Sequence, residues 1–162
     1  MLTKLPFTFP GGVFRSPMPF SLYDSLDIWQ SYQEQDIDLV VILVEPQEFL
    51  VYARRDLPEF YRSHNLEVLH LPVPDFGVPT DIPSWENGLK IASRAAADGK
   101  NVVVHCLAGL GRTGIFLACL AKENLNINGE DAIDWVRKSI TGAMENSHQE
   151  HFVINYQHNK SN

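Results

Sequence analysis

Asn101-Val102-Val103-Val104-His105-Cys106-Leu107-Ala108-Gly109-Leu110-Gly111-Arg112-Thr113-Gly114-Ile115-Phe116-Leu117-Ala118-Cys119-Leu120-Ala121 decides how this chain folds. The valine run reads as a buried strand and Ile115 to Ala121 as a buried helix, so the residues between them form a strand-to-helix loop. In such a loop successive backbone N–H groups can turn inward on an anion, and the helix N-terminus adds its partial positive charge. Arg112 supplies a planar bidentate fork that matches phosphate. Leu107, Ala108, Gly109, Leu110, Gly111 and Arg112 are therefore the expected phosphate cradle, with Cys106 at its floor. The same donors favour the thiolate over the thiol, so one loop both holds a phosphate and arms the nucleophile that attacks it. Thr113 carries a hydroxyl that can donate to the sulfur as it departs, and Gly109 and Gly111 admit the positive φ angles of a tight loop.

Attack on a phosphate ester also needs an acid on a separate loop to protonate the leaving oxygen. Val73-Pro74-Asp75-Phe76-Gly77-Val78-Pro79 supplies a carboxylate just after a strand, followed by a glycine hinge and flanked by prolines. Asp75 is the expected general acid. Asp81 is the alternative, although its place before Ile82-Pro83-Ser84 suits a helix N-cap.

The segment from His105 to Gly114 resembles the signature loop of the cysteine-dependent protein tyrosine and dual-specificity phosphatases, at every position that chemistry uses. The resemblance implies a phosphatase acting through a phosphocysteine intermediate, with Asp75 as acid in the first step and base in the second. It implies that His105 braces the loop by hydrogen bonds. Glu145-Asn146-Ser147-His148-Gln149 resembles the family segment that presents a glutamine to the hydrolytic water, which assigns Gln149 to that role. Leu107, Ala108 and Leu110 stand where relatives acting on phosphoinositides often carry lysines. A phosphorylated protein or peptide is therefore the expected substrate, with phosphotyrosine and phosphoserine or phosphothreonine both open. A soluble inositol phosphate, an RNA 5′ end, or a silent phosphate-binding adaptor are the alternatives.

Other readings of the same letters fit less well. Gly109-Leu110-Gly111-Arg112-Thr113-Gly114 matches a dinucleotide-binding pattern, but only 48 residues follow Gly114 and no clear strand among them carries the acidic ribose ligand. A papain-like protease pairs its cysteine with a histidine across a cleft, whereas His105 is the immediate chain neighbour. Rhodanese-like loops are usually shorter than the interval from Cys106 to Arg112.

Composition agrees with one enzyme domain over residues 1–162: 44% hydrophobic and 20% charged residues are ordinary for a globular chain of a length that buries most of its surface. A net charge of -7 disfavours nucleic acid and anionic membrane as partners. With no apolar leader and no membrane-length run, the expected location is cytoplasmic. Two cysteines make no disulfide framework, and Cys119, about two helical turns beyond the loop, reads as a core residue. His148 and His151 lack companion ligands and read as a solvated face; no metal and no cofactor is implied.

Along the chain, a helix is expected from a cap near Ser21 to Gln35, and strands over Asp38 to Val44 and Leu66 to Val73. Further helices are expected from Ser84 to Ala97, with Trp85, Leu89, Ala92 and Ala96 inward, from Glu130 to Ile140, and from His148 to about His158. Strands alternating with helices predict an α/β fold, with a mostly parallel sheet of about four to five strands covered on both faces. The site then falls at the C-terminal edge of a central strand.

Overall fold

The computed structural model describes residues 1–157. Its sheet contains β1 (Thr3–Lys4), β2 (Val13–Ser16), β3 (Ile37–Ile42), β4 (Glu67–His70) and β5 (Asn101–His105). The spatial order is β1-β2-β5-β3-β4, with β1 antiparallel to β2 and the other four strands parallel. β5 lies in the middle, and Val102, Val103 and Val104 are fully buried. Burial on both faces is why its apolar residues are continuous and do not alternate.

The helices are α1 (Ile28–Glu34), α2 (Pro46–Glu48), which runs into a π-turn at Phe49–Ala53, α3 (Leu57–Ser63), α4 (Ile82–Ala97), α5 (Gly111–Leu125), α6 (Gly129–Ser139) and α7 (Ser147–Asn155). Right-handed crossovers from β2 to β3 and from β3 to β4 put α1 and α3 on one face, and the return from β4 to β5 puts α4 on the other. Ring contacts follow this division. Trp29 and Tyr32 of α1 meet Tyr61 of α3, whereas Trp85 of α4 packs edge-on against Phe116 of α5 at 5.2 Å and Phe152 of α7 at 6.2 Å. From Gly111 to Ala121 every residue of α5 is buried, the mark of a helix enclosed by its neighbours. Trp85, Leu89, Ala92 and Ala96 are buried, and so are Ile133, Val136 and Ile140.

Some expected boundaries are corrected. The first helix begins at Ile28, not near Ser21, because Ser21 turns its hydroxyl onto the Met18 carbonyl and Asp24 caps both Phe20 and Ile28 through its two carboxylate oxygens. β4 stops at His70, although Leu71 and Val73 still donate to the Ile42 and Leu43 carbonyls. The N-terminal hairpin of β1 and β2 was not anticipated from the sequence. α7 ends at Asn155; His158, its expected limit, lies outside the described residues.

In register, Ser16 of β2 and Ile42 of β3 both lie opposite His105. The loops that follow these strands, and the one that follows β4, therefore open on the same edge of the sheet as the loop after β5.

Candidate active site

Neighbouring backbone groups draw the carbonyls of the loop after β5 outward. Met18 N–H donates to the Leu107 oxygen at 2.9 Å, Met144 N–H to the Leu110 oxygen at 3.3 Å, and Leu43 N–H to the His105 oxygen at 3.0 Å. Among the described residues no protein acceptor takes the N–H of Leu107, Ala108, Gly109 or Leu110, so the loop's donors remain free for an anion. Gly109 holds φ +78°, and a Cβ there would stand 2.4 Å from the Ser16 carbonyl oxygen, so both the angle and the close approach require glycine.

Cys106 is buried at the head of this loop. Arg112, buried in the first turn of α5, is held from three sides. Its two terminal nitrogens donate to both Glu48 carboxylate oxygens at 2.7 and 2.8 Å, one of them also to the Val73 carbonyl at 3.0 Å, and the other to Asp75 Oδ1 at 3.0 Å. Burial alone would weaken the guanidinium's hold on its proton. The Glu48 hydrogen bonds, followed by the charges of Cys106, Glu48 and Asp75, outweigh burial and raise its pKa. A second cation, Arg15 on β2, also acts electrostatically on Cys106, although burial lowers its own pKa. The Thr113 hydroxyl is buried and has no hydrogen-bond partner among the described residues, a costly state for a group without a task.

His105 is fully buried. Its Nδ1 lies 3.0 Å from the Cys106 carbonyl oxygen and its Nε2 3.2 Å from the Tyr61 hydroxyl. A carbonyl can only accept, so Nδ1 carries the hydrogen and Nε2 accepts from Tyr61. Desolvation lowers the histidine pKa to about 4, and the imidazole is neutral at physiological pH. The Tyr61 ring packs against Tyr32, with centroids 6.2 Å apart, and the Tyr32 hydroxyl lies 2.7 Å from Ser16 Oγ, so buried polar groups stand behind Cys106. Cys119 is also buried, and desolvation pushes its thiol up to about 12, which leaves it inert.

Asp75 projects from a turn closed by Gly77 N–H on the Pro74 carbonyl, with Phe76 at φ +56°. Two side chains from the start of α7 pin this turn. Asn146 Nδ2 donates to the Phe76 oxygen at 3.0 Å and Gln149 Nε2 to the Gly77 oxygen at 3.1 Å. Gln149, expected from the sequence to hold the hydrolytic water, is fully buried, and its Oε1 accepts the Glu145 N–H at 2.8 Å. Its amide thus bridges the Asp75 loop and the Glu145 backbone, with a second Nε2 hydrogen left over and both amide heteroatoms beside Gly111, where a Cβ would stand 3.0 Å from each. Asp81 caps α4 by accepting from the Ser84 N–H and hydroxyl, which lower its pKa.

Three contributors were not legible in the sequence: Glu48, Glu145 and Arg15. The one available signal for Glu48 was an acidic turn opening at Pro46, directly beyond the C-terminal end of a buried strand.

Free N–H donors, a thiol and a clamped arginine on one loop, facing a carboxylate from another, are the groups that phosphoryl transfer can use. Residues 19–124 match the family model described as a polymorphic toxin system DSP-PTPase phosphatase, Tc-R-P, and the chain belongs to this family. It is 34% identical over 93 residues to an uncharacterised protein of Methanocaldococcus jannaschii, an alignment covering 56% of this chain and 60% of that protein. It is 32% identical over 96 residues to tyrosine-protein phosphatase non-receptor type 20 of Homo sapiens, covering 56% and 23%. It is also 27% identical over 121 residues to phosphatidylglycerophosphate phosphatase PTPMT1 of Arabidopsis thaliana, covering 75% and 34%. The chain thus spans less than two thirds of the length of these curated relatives. Among solved structures, Tk-PTP in its active form is 31% identical with a TM-score of 0.70 over 86% of each chain. Kinase associated phosphatase shares the fold, with a TM-score of 0.84 at 20% identity over 94% of this chain and 91% of that one.

Proposed function

We propose that this chain hydrolyses phosphomonoesters of protein side chains through a phosphocysteine. The observation that carries this reading is the meeting of Asp75 from one loop with Cys106 and Arg112 from another, with Arg112 bonded to Asp75 at 3.0 Å. Without substrate, Arg112 holds Asp75. A phosphate dianion entering the loop competes for the same guanidinium and frees the carboxyl to carry a proton to the leaving oxygen. The Cys106 thiolate then forms the S–P bond as the P–O bond breaks. In the second step water attacks phosphorus, the S–P pair returns to sulfur with the Thr113 hydroxyl as donor, and Asp75 takes the water's proton.

Substrate class is argued from the rim. Leu22 and Tyr23 in the segment after β2, Leu50, Val51 and Tyr52 in the π-turn after β3, and Phe76 beside Asp75 are all exposed, and each belongs to a segment that leaves the sheet at the edge where the site opens. An apolar rim around a loop without lysine suits a phosphate flanked by apolar side chains better than a polyphosphorylated sugar. A lipid phosphomonoester is the second reading. The same rim favours it, as does the likeness to a phosphatase named for phosphatidylglycerophosphate.

Turnover of p-nitrophenyl phosphate, and its loss in Cys106→Ser, tests the chemistry. Initial rates on phosphopeptides, phosphatidylglycerophosphate vesicles and inositol hexakisphosphate then test the class. The expected order puts phosphopeptides first, and a faster rate on either of the others replaces the protein reading.

A further inference from the structure

We infer that Glu145, on the segment between α6 and α7, is a further catalytic residue whose carboxylate holds the water that attacks the phosphocysteine. The inference rests on the phosphocysteine reading above. Glu145 Oε2 lies directly over the phosphate loop: a Cβ at Gly111, the residue before Arg112, would stand 2.1 Å from it. The carboxylate accepts no hydrogen bond and joins no ion pair among the described residues, so it is free to take one from water. Its backbone is fixed where the acid loop is fixed. Glu145 N–H donates to Gln149 Oε1, and Gln149 Nε2 and Asn146 Nδ2 hold the carbonyls of Gly77 and Phe76, just after Asp75. One strut thereby sets the spacing of two carboxyl groups over one cysteine.

The electrostatics agree with the geometry. Burial and the neighbouring Asp75 charge raise the Glu145 pKa, while Arg112 opposes them. A carboxyl with a raised pKa repels an incoming phosphate dianion less than an ordinary carboxylate does, and in either protonation state it retains an oxygen that can accept from water. In the hydrolytic step a lone pair of the water oxygen forms the new P–O bond, and the P–S bond breaks with its electron pair returning to Cys106. One water proton passes to the Asp75 carboxylate, which gave up its own proton in the first step. The other O–H donates to Glu145. Gln149, with both ends of its amide bonded to backbone, is the positioning residue behind this arrangement.

The decisive measurement is the decay of the phosphocysteine itself. Wild type, Glu145→Ala and Glu145→Gln are mixed with p-nitrophenyl phosphate, acid-quenched at intervals and assayed for protein-bound phosphate, with the nitrophenolate burst followed in parallel. In Glu145→Ala the first step is expected within a few-fold of wild type, with decay of the intermediate slowed roughly tenfold to hundredfold. Phosphocysteine then accumulates. Glu145→Gln keeps an acceptor oxygen and should recover a large part of the lost rate, which a purely structural role for the charge would not predict. Wild-type decay in Glu145→Ala overturns the inference, and so does equal slowing of both steps. A wild-type enzyme that forms no phosphocysteine removes the mechanism as well, which separates the two failures.

Discussion

Glu48 and Arg112 stand 64 positions apart in the chain and meet as a bidentate pair, with their side chains only 13% and 2% exposed. Breaking such a pair from one side leaves a buried guanidinium short of acceptors, and hydrogen bonds to charged groups carry about 2 kcal/mol. Glu48→Gln should lower unfolding free energy by that order in a urea titration. It should also cut kcat/KM by one to two orders of magnitude, because the fork is no longer held toward the loop. Asp75→Ala should slow turnover by about two to four orders of magnitude; if Asp81→Ala does so instead, the acid is reassigned. At this scale the sequence shows Cys106, Arg112 and Asp75, since each follows a strand in a recognisable local pattern. Glu48 and Glu145 owe their places to folding, and no local pattern marks a carboxylate that finds its partner across the sheet.

β3 and β5 were legible as apolar runs in the middle of the sheet and β4, at its edge, as an alternating segment, while each well-placed helix has a stripe of inward residues or, like α5, is apolar all round. The misplaced start of α1 has a different cause. Ser21, Asp24 and Asp27 are all good caps, and which one wins depends on Met18 and Phe20 packing, with Asp27 at φ +50° closing the choice. β1 and β2 are short, and a two-residue edge strand leaves no period to read. Loop geometry, by contrast, follows from single residues. In Gly109→Ala the new methyl would meet the Ser16 carbonyl and the residue would hold a strained φ, so the loop must shift. A loss of roughly 1–3 kcal/mol of stability is expected. Weaker vanadate binding should accompany it, because the amides no longer converge, and calorimetric titration of vanadate reads that loss directly. Unchanged vanadate affinity would show that the cradle does not depend on this turn.

For the molecule as a whole, the buried histidine behind Cys106 links stability to pH. His105 binds its proton with a pKa near 6.5 when solvated and about 4 in the folded chain. Between those values the unfolded state holds more protons than the folded one, so stability rises with pH and is complete above the unfolded value. As pH falls from 6.5 toward 4 the contribution is lost, on the order of 3 kcal/mol in all. Carboxylates with lowered pKa, such as Asp81, lose their share at still lower pH and blur the lower end of the window. A comparison with His105→Asn isolates the histidine, since asparagine can offer an N–H to the Cys106 carbonyl without titrating. Urea midpoints at pH 7 and pH 4.5 should converge in the variant relative to wild type, even if it is less stable at both. An equal pH dependence in the two proteins would mean that solvent reaches the imidazole, and His105 would then not be sealed between Tyr61 and the Cys106 carbonyl as its hydrogen bonds describe.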